Sequence, residues 1–335
     1  MATNHGTIKT NPLPDEGHNL FQRFIFSTLM LYIFAIGVWG STWYIITLQL
    51  GVVGEEVSIG YRFCIASLAL FLWGALRGKD FSFPWEDHRI FMFKGVALYS
   101  IGYFFAYYAG GAIPSGLNAV LFSTIVIFNI FNAAIFFKQK ISFLTLLGAI
   151  LGLGGLALIF LPELQSLDIH NQEVLMGMGF AVFGGLIGSF GNIASMKSQS
   201  RGVRIIEANA YSMGYGGLLS LAIALVMGES LTFDTSFSYV GSLLYLAIFG
   251  SIITFGCYLK VLGRVGADKA AYPMVLIPVV ALCISAVFED YQWSTYAILG
   301  IVLMILGNIM ITVKGKAEFL QRLKKIFRKK ITAKH

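Results

Sequence analysis

Arg62 has the most unusual address in this sequence. It lies inside an apolar run at 57–76. A charge placed in hydrocarbon is costly and marks a functional group by default. Ser58, Ala66 and Ala69 share its helical face, so the side chain is expected to point into a bundle rather than toward lipid. There it would attract a carboxylate or a phosphate. A second reading stands beside this one. Arg62 is little more than a turn from the end of its run, so snorkelling to the interface or pairing with a backbone carbonyl also accounts for it.

Amides form a second group. Asn118, Phe122, Ile125, Asn129 and Asn132 return to one face of a 3.6-residue period. They read either as a wet cavity wall or as interhelical hydrogen bonds, worth about 0.6–2 kcal/mol each. Asn118 is the preferred site candidate, because it lies in the stretch that best matches an internal repeat described below. Aromatic residues form a third group. Trp39 and Trp43 are one turn apart with Tyr44 beside them, and Tyr99, Tyr103 and Tyr107 make a stripe. They can stack on an aromatic or cationic substrate, or serve as an interfacial belt. Trp43 and Tyr103 are nearest mid-span. Asn192, Tyr211 and Tyr272 are the comparable polar residues further along, with helix–helix hydrogen bonding as their other reading. Pro273 and Pro278 each remove a backbone hydrogen bond inside a later run, giving either a hinge or a static kink.

Other chemistry is missing. His5, His18, His88, His170 and His335 all fall in tails or loops. Cys64, Cys257 and Cys283 stand singly, so neither a zinc site nor a disulfide framework is indicated, and no cofactor is expected. No phosphate-binding P-loop appears, so ATP is not expected to drive the chain directly. Glu207 lies within a turn of a span end, beside Arg201 and Arg204, and no carboxylate is placed deep in a span. Facilitated diffusion or exchange is therefore favoured over proton antiport, with coupling through Glu207 or through the substrate left open.

The elements that must hold these residues are membrane helices. Of 335 residues, 57% are hydrophobic and 12% charged, and the mean hydropathy is +0.75. An ordinary soluble domain has about 25% charged residues. Ten apolar runs are long enough to span a bilayer, at 26–48, 57–76, 90–111, 114–137, 141–161, 174–196, 205–227, 238–260, 269–288 and 293–313. The stretch at 1–25 is a polar tail, and no cleavable signal peptide is evident. With the N-terminus in the cytoplasm, every outside loop is free of lysine and arginine and carries acids such as Glu55, Glu56, Glu229 and Glu289. Lys94 counts with the cytoplasmic side, which leaves Arg62 as the sole basic residue within a span. Both termini are then cytoplasmic. The basic tail at 314–335 accounts for the net charge of +7. Phe319, Leu323, Ile326 and Phe327 share one face of it, so it reads as a basic amphipathic helix on anionic inner-leaflet lipid, with a docked soluble partner as the alternative. Nucleic acid is not an expected partner, and a homodimer is left open.

An internal repeat organises the spans. Ser115 to Phe160 lies on Ala267 to Thr312 without a gap, matching Ala119 with Ala271, Gly148 with Gly300 and Gly155 with Gly307. Five spans at 26–161 are followed by five at 174–313. An odd number per copy inverts the second copy in the membrane, as in many secondary transporters. Trp39-Gly40-Ser41-Thr42-Trp43, Tyr61-Arg62-Phe63, Ile277-Pro278-Val279, Phe288-Glu289 and Leu306-Gly307 resemble the EamA domain of the drug/metabolite transporter superfamily. The first copy departs from the pattern, with Val126 opposite Pro278 and Phe137 opposite Glu289. The resemblance implies a ten-helix carrier of small metabolites in a bacterial inner membrane, often moving amino acids or their derivatives outward. An amino acid or related carboxylate is the leading cargo and S-adenosylmethionine the alternative. A sensor on the carrier scaffold, an intramembrane enzyme and a channel are the competing classes. The lack of buried catalytic groups disfavours the enzyme, and the lack of a charged ring disfavours the channel.

Overall fold

The computed structural model describes residues 27–138, 141, 143–166, 172–258, 272–289, 293–307 and 309–310. The two tails, at 1–25 and 314–335, lie outside the described residues. The helices are α1 (Thr28–Thr47), α2 (Glu55–Leu76), α3 (Trp85–Ala112), α4 (Ser115–Phe137), α5 (Phe143–Ser166), α6 (Gln172–Ser200), α7 (Ile205–Val226), α8 (Phe237–Tyr258), α9 (Tyr272–Phe288) and α10 (Thr295–Gly307). No strand occurs among the described residues. Seven helices, α1 to α4 and α6 to α8, are long and apolar enough to cross a membrane. In α5, α9 and α10 the described apolar stretches are shorter, at Leu146–Ile159, Leu276–Phe288 and Thr295–Gly307. Seven of the ten expected crossings thus meet the length and composition for one. The outward face is apolar, with Leu68, Leu72, Ile135 and Val226 all exposed. Hydrocarbon is a solvent that suits such a surface, since each helix satisfies its own backbone.

Local sequence sets the helix ends. Ser27 Oγ accepts the Met30 N–H and Ser236 Oγ accepts the Tyr239 N–H, each at 3.2 Å. These are side-chain N-caps that satisfy otherwise orphaned donors. The far ends of α2 and α7 close alike. Gly78 and Gly228 adopt φ of 59° and 83°. The Lys79 and Glu229 N–H groups then reach back to Gly74 and Ala224 carbonyls, both at 2.9 Å. Glycine is needed there because a left-handed residue must follow the last turn.

This likeness extends along both helices. With Glu55 laid on Ile205, Val57 to Leu72 and Glu207 to Ala222 share one succession of buried, half-buried and exposed positions. The two helices pack directly and run antiparallel. Gly60 meets Gly217 and Leu221, while further along α2 the Ser67 hydroxyl donates to the Ala210 carbonyl at 2.6 Å. A second antiparallel seam joins α5 to α10. Gly155 lies against the Gly300 carbonyl, and Gly307 lies against the Gly148 carbonyl. A Cβ at any of these contacts would collide with backbone, so glycine is what lets the helices touch. Gly184, Gly188 and Gly191 serve packing in the same way, against Phe122, Ile125 and Leu98.

Two helices contain wide π-helical turns, α3 at Ala97–Ile101 and α8 at Tyr245–Ile253. In α4 a turn at Ser123 and Thr124 separates Ser115–Phe122 from Ile125–Phe137. Both hydroxyls donate back to carbonyls three residues earlier, at 2.5 and 2.7 Å. Such back-bonding bends helices. The break therefore falls in the copy that lacks the proline. α9 runs unbroken through Pro278, which is buried. The core around the site joins Ile46, Ile59, Phe63, Tyr99, Tyr107, Met213 and Leu246 from α1, α2, α3, α7 and α8.

Candidate functional site

The π turn of α8 widens the helix where α1 and α2 approach it. Ser251 and Thr254 hydroxyls donate to carbonyls five residues earlier, at 3.0 and 2.6 Å, as the wider turn allows. Gly250 turns its open side to Thr42 and to the Arg62 guanidinium, and its carbonyl accepts the Trp39 indole N–H at 3.0 Å. π turns recur at functional sites because they re-aim backbone and side chains.

Arg62 is only 2% exposed. Its Nε donates to Ser251 Oγ at 3.4 Å. The guanidinium carbon lies 4.7 Å from the centre of the Tyr103 ring and 5.1 Å from that of Phe63. Cation–π contacts of this kind contribute about 2 kcal/mol when desolvated, which is well short of the solvation an isolated charge loses. No acidic side chain pairs with it among the described residues, and Nη1 has no partner. The charge thus points into the bundle and is shut off from its surface.

Two neighbours extend the site along α3. The Tyr107 hydroxyl donates to Gln49 Oε1 at 2.7 Å, leaving Gln49 Nε2 buried and unpartnered. Asn118 Nδ2 donates to the Ala106 carbonyl at 2.8 Å, leaving its Oδ1 buried and unpartnered. Buried polar atoms in folded proteins are nearly always paired. Here two donors and one acceptor, on α2, just beyond the end of α1 and on α4, border the same stretch of α3. A carboxylate suits the donors and an ammonium group suits the acceptor.

The remaining predicted residues divide. Trp43 and Tyr44 meet Phe122 and Phe288, with ring centres 5.2 and 5.0 Å apart, so α1 faces both α4 and α9. Asn192 donates to Asn129 at 3.3 Å, and Asn132 donates to Ser189 at 2.8 Å. These amides join α4 to α6 and stand away from Arg62. The bend at Ser123 explains why Asn118 parts from the other two. Tyr211 belongs to an aromatic cluster at the opposite end of the bundle. It donates to the Phe81 carbonyl at 2.8 Å, stacks on Phe91 and packs edge-on against His88. Tyr272 and Pro273 begin α9, and their side chains lie outside the described residues.

Gln49, Tyr107 and Ser251 complete the site, and of these only Tyr107 was named among the sequence candidates. Tyr107 belonged to the tyrosine stripe, and the other two gave no periodic signal. One expectation is corrected outright. Arg62 is not the sole basic residue within a span: Lys94 lies in the third turn of α3 and is 1% exposed. Its Nζ donates to Asn209 Oδ1 at 2.5 Å, and the same oxygen accepts the Tyr99 hydroxyl at 3.1 Å. Carboxylates are also more buried than expected near the ends. Glu56 is 3% exposed and accepts the Tyr108 hydroxyl, while Glu207 pairs with Arg204.

Known proteins share this architecture. A crystal structure superposes with a TM-score of 0.64 over 87% of this chain and 98% of its own, at 17% identity, which carries the fold alone. The uncharacterized transporter YoaV of Bacillus subtilis is 26% identical over 82% of this chain and 93% of its own length. Protein PagO of Salmonella typhimurium is 23% identical over 84% and 91%. The uncharacterized inner membrane transporter YedA of Escherichia coli is 25% identical over 83% and 90%. The profile of the EamA-like transporter family matches twice in succession, at residues 22–161 and 173–313. With both halves matched and the helical membrane fold in common, the chain belongs to the EamA-like transporter family.

Proposed function

We propose that the protein is a secondary carrier that moves a small organic metabolite across the cell membrane by alternating access. The cargo class is an amino acid or a related carboxylate-bearing amphipathic solute, and export is the favoured direction. One observation carries this reading: Arg62 is buried, pairs with no acidic side chain among the described residues and keeps Nη1 unpartnered. A cargo carboxylate answers that charge. Gln49 Nε2 supplies a second donor, Asn118 Oδ1 an acceptor for an ammonium group, and Tyr103 and Trp43 apolar walls. Phosphorylated cargo fits less well, because several negative charges would call for more than one cation at this point.

The proposed topology is ten crossings in two inverted five-helix repeats, with both termini cytoplasmic. The antiparallel pairing of α2 with α7 and of α5 with α10 supports the inversion. A bacterial inner membrane is the proposed home, in keeping with the name of the Escherichia coli relative. The basic tail at 314–335 is proposed to rest on anionic lipid. The scaffold is read as a transporter rather than an enzyme.

The test is flux from proteoliposomes loaded with amino acids, nucleosides and S-adenosylmethionine, read by mass spectrometry with and without a pH gradient. Selective release of amino acids that Arg62→Ala abolishes is the expected result. Release of S-adenosylmethionine alone would change the cargo. Ligand binding without any flux would make the protein a sensor and overturn the carrier.

A further inference from the structure

Among the described residues two cations are buried, and the second has no part in the site described so far. Lys94 and Arg62 are placed in corresponding ways. When α2 is laid on α7, Arg62 falls on Ser212, which is fully buried and whose hydroxyl has no partner. Ser212 packs its carbonyl against Gly95, beside Lys94, and stands one turn from Asn209. So where α2 brings an arginine to α8, the matching face of α7 brings a serine and an asparagine to α3, and α3 supplies a lysine. One cation sits at the α2–α8 contact and one at the α3–α7 contact.

They also sit toward opposite ends of the bundle. α2 and α3 are joined by a short loop and run antiparallel, as the Glu56–Tyr108 contact requires. Arg62 lies in the first half of α2 and Lys94 in the first half of α3. Tyr103 lies over Arg62, and the rise along α3 from Lys94 to Tyr103 is roughly 13 Å at ~1.5 Å per residue. The wide turn at Ala97–Ile101 falls between them. Tyr99 and Tyr103 alternate along this path, one bonded to the partner of Lys94 and the other over Arg62.

Lys94 is not held as a structural ion pair. No carboxylate pairs with it among the described residues. Among the described residues Asn209 Oδ1 is its one hydrogen-bond acceptor, and an ammonium group carries three donors. A buried cation with donors to spare is an anion-binding arrangement, and Ser212, whose hydroxyl is unpartnered, stands one helical turn from its partner Asn209.

We propose that Lys94, with Asn209, Tyr99 and Ser212, forms a second anion station, and that a carboxylate-bearing cargo passes between it and Arg62 during the transport cycle. This rests on the carboxylate reading above and adds the path to it. The two stations explain how one anion is held in both access states without two cations crowding one place. Each station needs water-excluding helices to part before cargo enters, which the paired wide turns of α3 and α8 can accommodate.

The test uses the purified full chain in nanodiscs, with benzoate as the carboxylate probe and benzamide as its neutral isostere. Thermal stabilisation is recorded against probe concentration. Benzoate is expected to stabilise the wild type and benzamide to do so at least tenfold less effectively. Arg62→Met is expected to keep part of the benzoate response. Lys94→Met in that background is expected to remove the rest. Asn209→Asp, which places a carboxylate on Lys94 with almost no change of shape, is expected to remove the same part even if Lys94→Met fails to fold. A benzoate response lost entirely in Arg62→Met and unchanged in Asn209→Asp would overturn the second station and leave the Arg62 site standing. A response unchanged in Arg62→Met and lost in Asn209→Asp would uphold the station and overturn the Arg62 reading. A wild type that does not distinguish benzoate from benzamide would overturn both.

Discussion

Glu289 holds the first turn of α4. Its carboxylate accepts the Ser115 main-chain N–H at 3.0 Å and the Ser115 hydroxyl at 2.5 Å. The residue that follows α9 thereby caps the start of α4, and the tie crosses from the second half of the chain to the first. Gly116 deepens it by letting α4 ride on the backbone of Leu282.

Removing that cap is expected to loosen this end of the bundle. Glu289→Ala should cost about 1 kcal/mol, the usual worth of a lost helix cap. Ser115→Ala, which keeps the main-chain bond, should cost less. Thermal melts of the two variants in one detergent check the order.

Arg62→Met is expected to separate stability from transport. A buried charge without a counter-ion is a standing cost, and an apolar replacement of similar volume is often neutral or stabilising by about 1–4 kcal/mol. The melting temperature should therefore hold or rise while carboxylate flux falls at least tenfold. A melting temperature that drops sharply would mean that Arg62 holds the helices together rather than waiting for cargo.

Among the described residues only Tyr107 bonds the Gln49 side-chain oxygen, and the nitrogen is already unpartnered. Tyr107→Phe leaves the whole buried amide unsatisfied. The expected cost is about 1–3 kcal/mol. Adding Gln49→Leu should recover most of it, and a double-mutant cycle on melting free energies reads the coupling.

The glycines make opposite predictions. Gly300→Ala drives a methyl group into the Gly155 carbonyl, and Gly307→Ala does the same at Gly148. Overpacking of this kind costs about 1–3 kcal/mol. Gly179 in α6 and Gly241 in α8 meet nothing within 4 Å. Alanine there should stabilise by about 0.5–1 kcal/mol through helix propensity. Melts of the four variants distinguish contact from mere permissiveness.

What could be seen in the sequence depended on contrast. Arg62 stands out because a charge interrupts an apolar run, even though it is little more than a turn from one end. Lys94 is as buried, yet it follows Asp87, His88 and Arg89 closely and so reads as part of a cytoplasmic loop. Gln49 sits after the last turn of α1, where polarity is ordinary. Ser251 reaches Arg62 only because α8 departs from 3.6 residues per turn, a departure that no 3.6-residue pattern can reveal. The three amides fit one helical face on paper, but the bend at Ser123 and Thr124 sends Asn118 toward α3 and the others toward α6. The repeat was legible because glycine spacing survives where other residues drift, and the α5–α10 seam gives the reason: any side chain there is too large.

That seam has a further property. Gly148 is matched by Gly300 and Gly155 by Gly307, and the contacts run Gly155 to Gly300 and Gly307 to Gly148. Exchanging the two halves returns the same pair of contacts. The surface is therefore isologous, the kind that two identical subunits present to each other. A single five-helix unit would already carry both sides of it. The seam thus has the symmetry of a dimer interface within one chain, while elsewhere the two halves differ, with Arg62 and Ser212 in matching places.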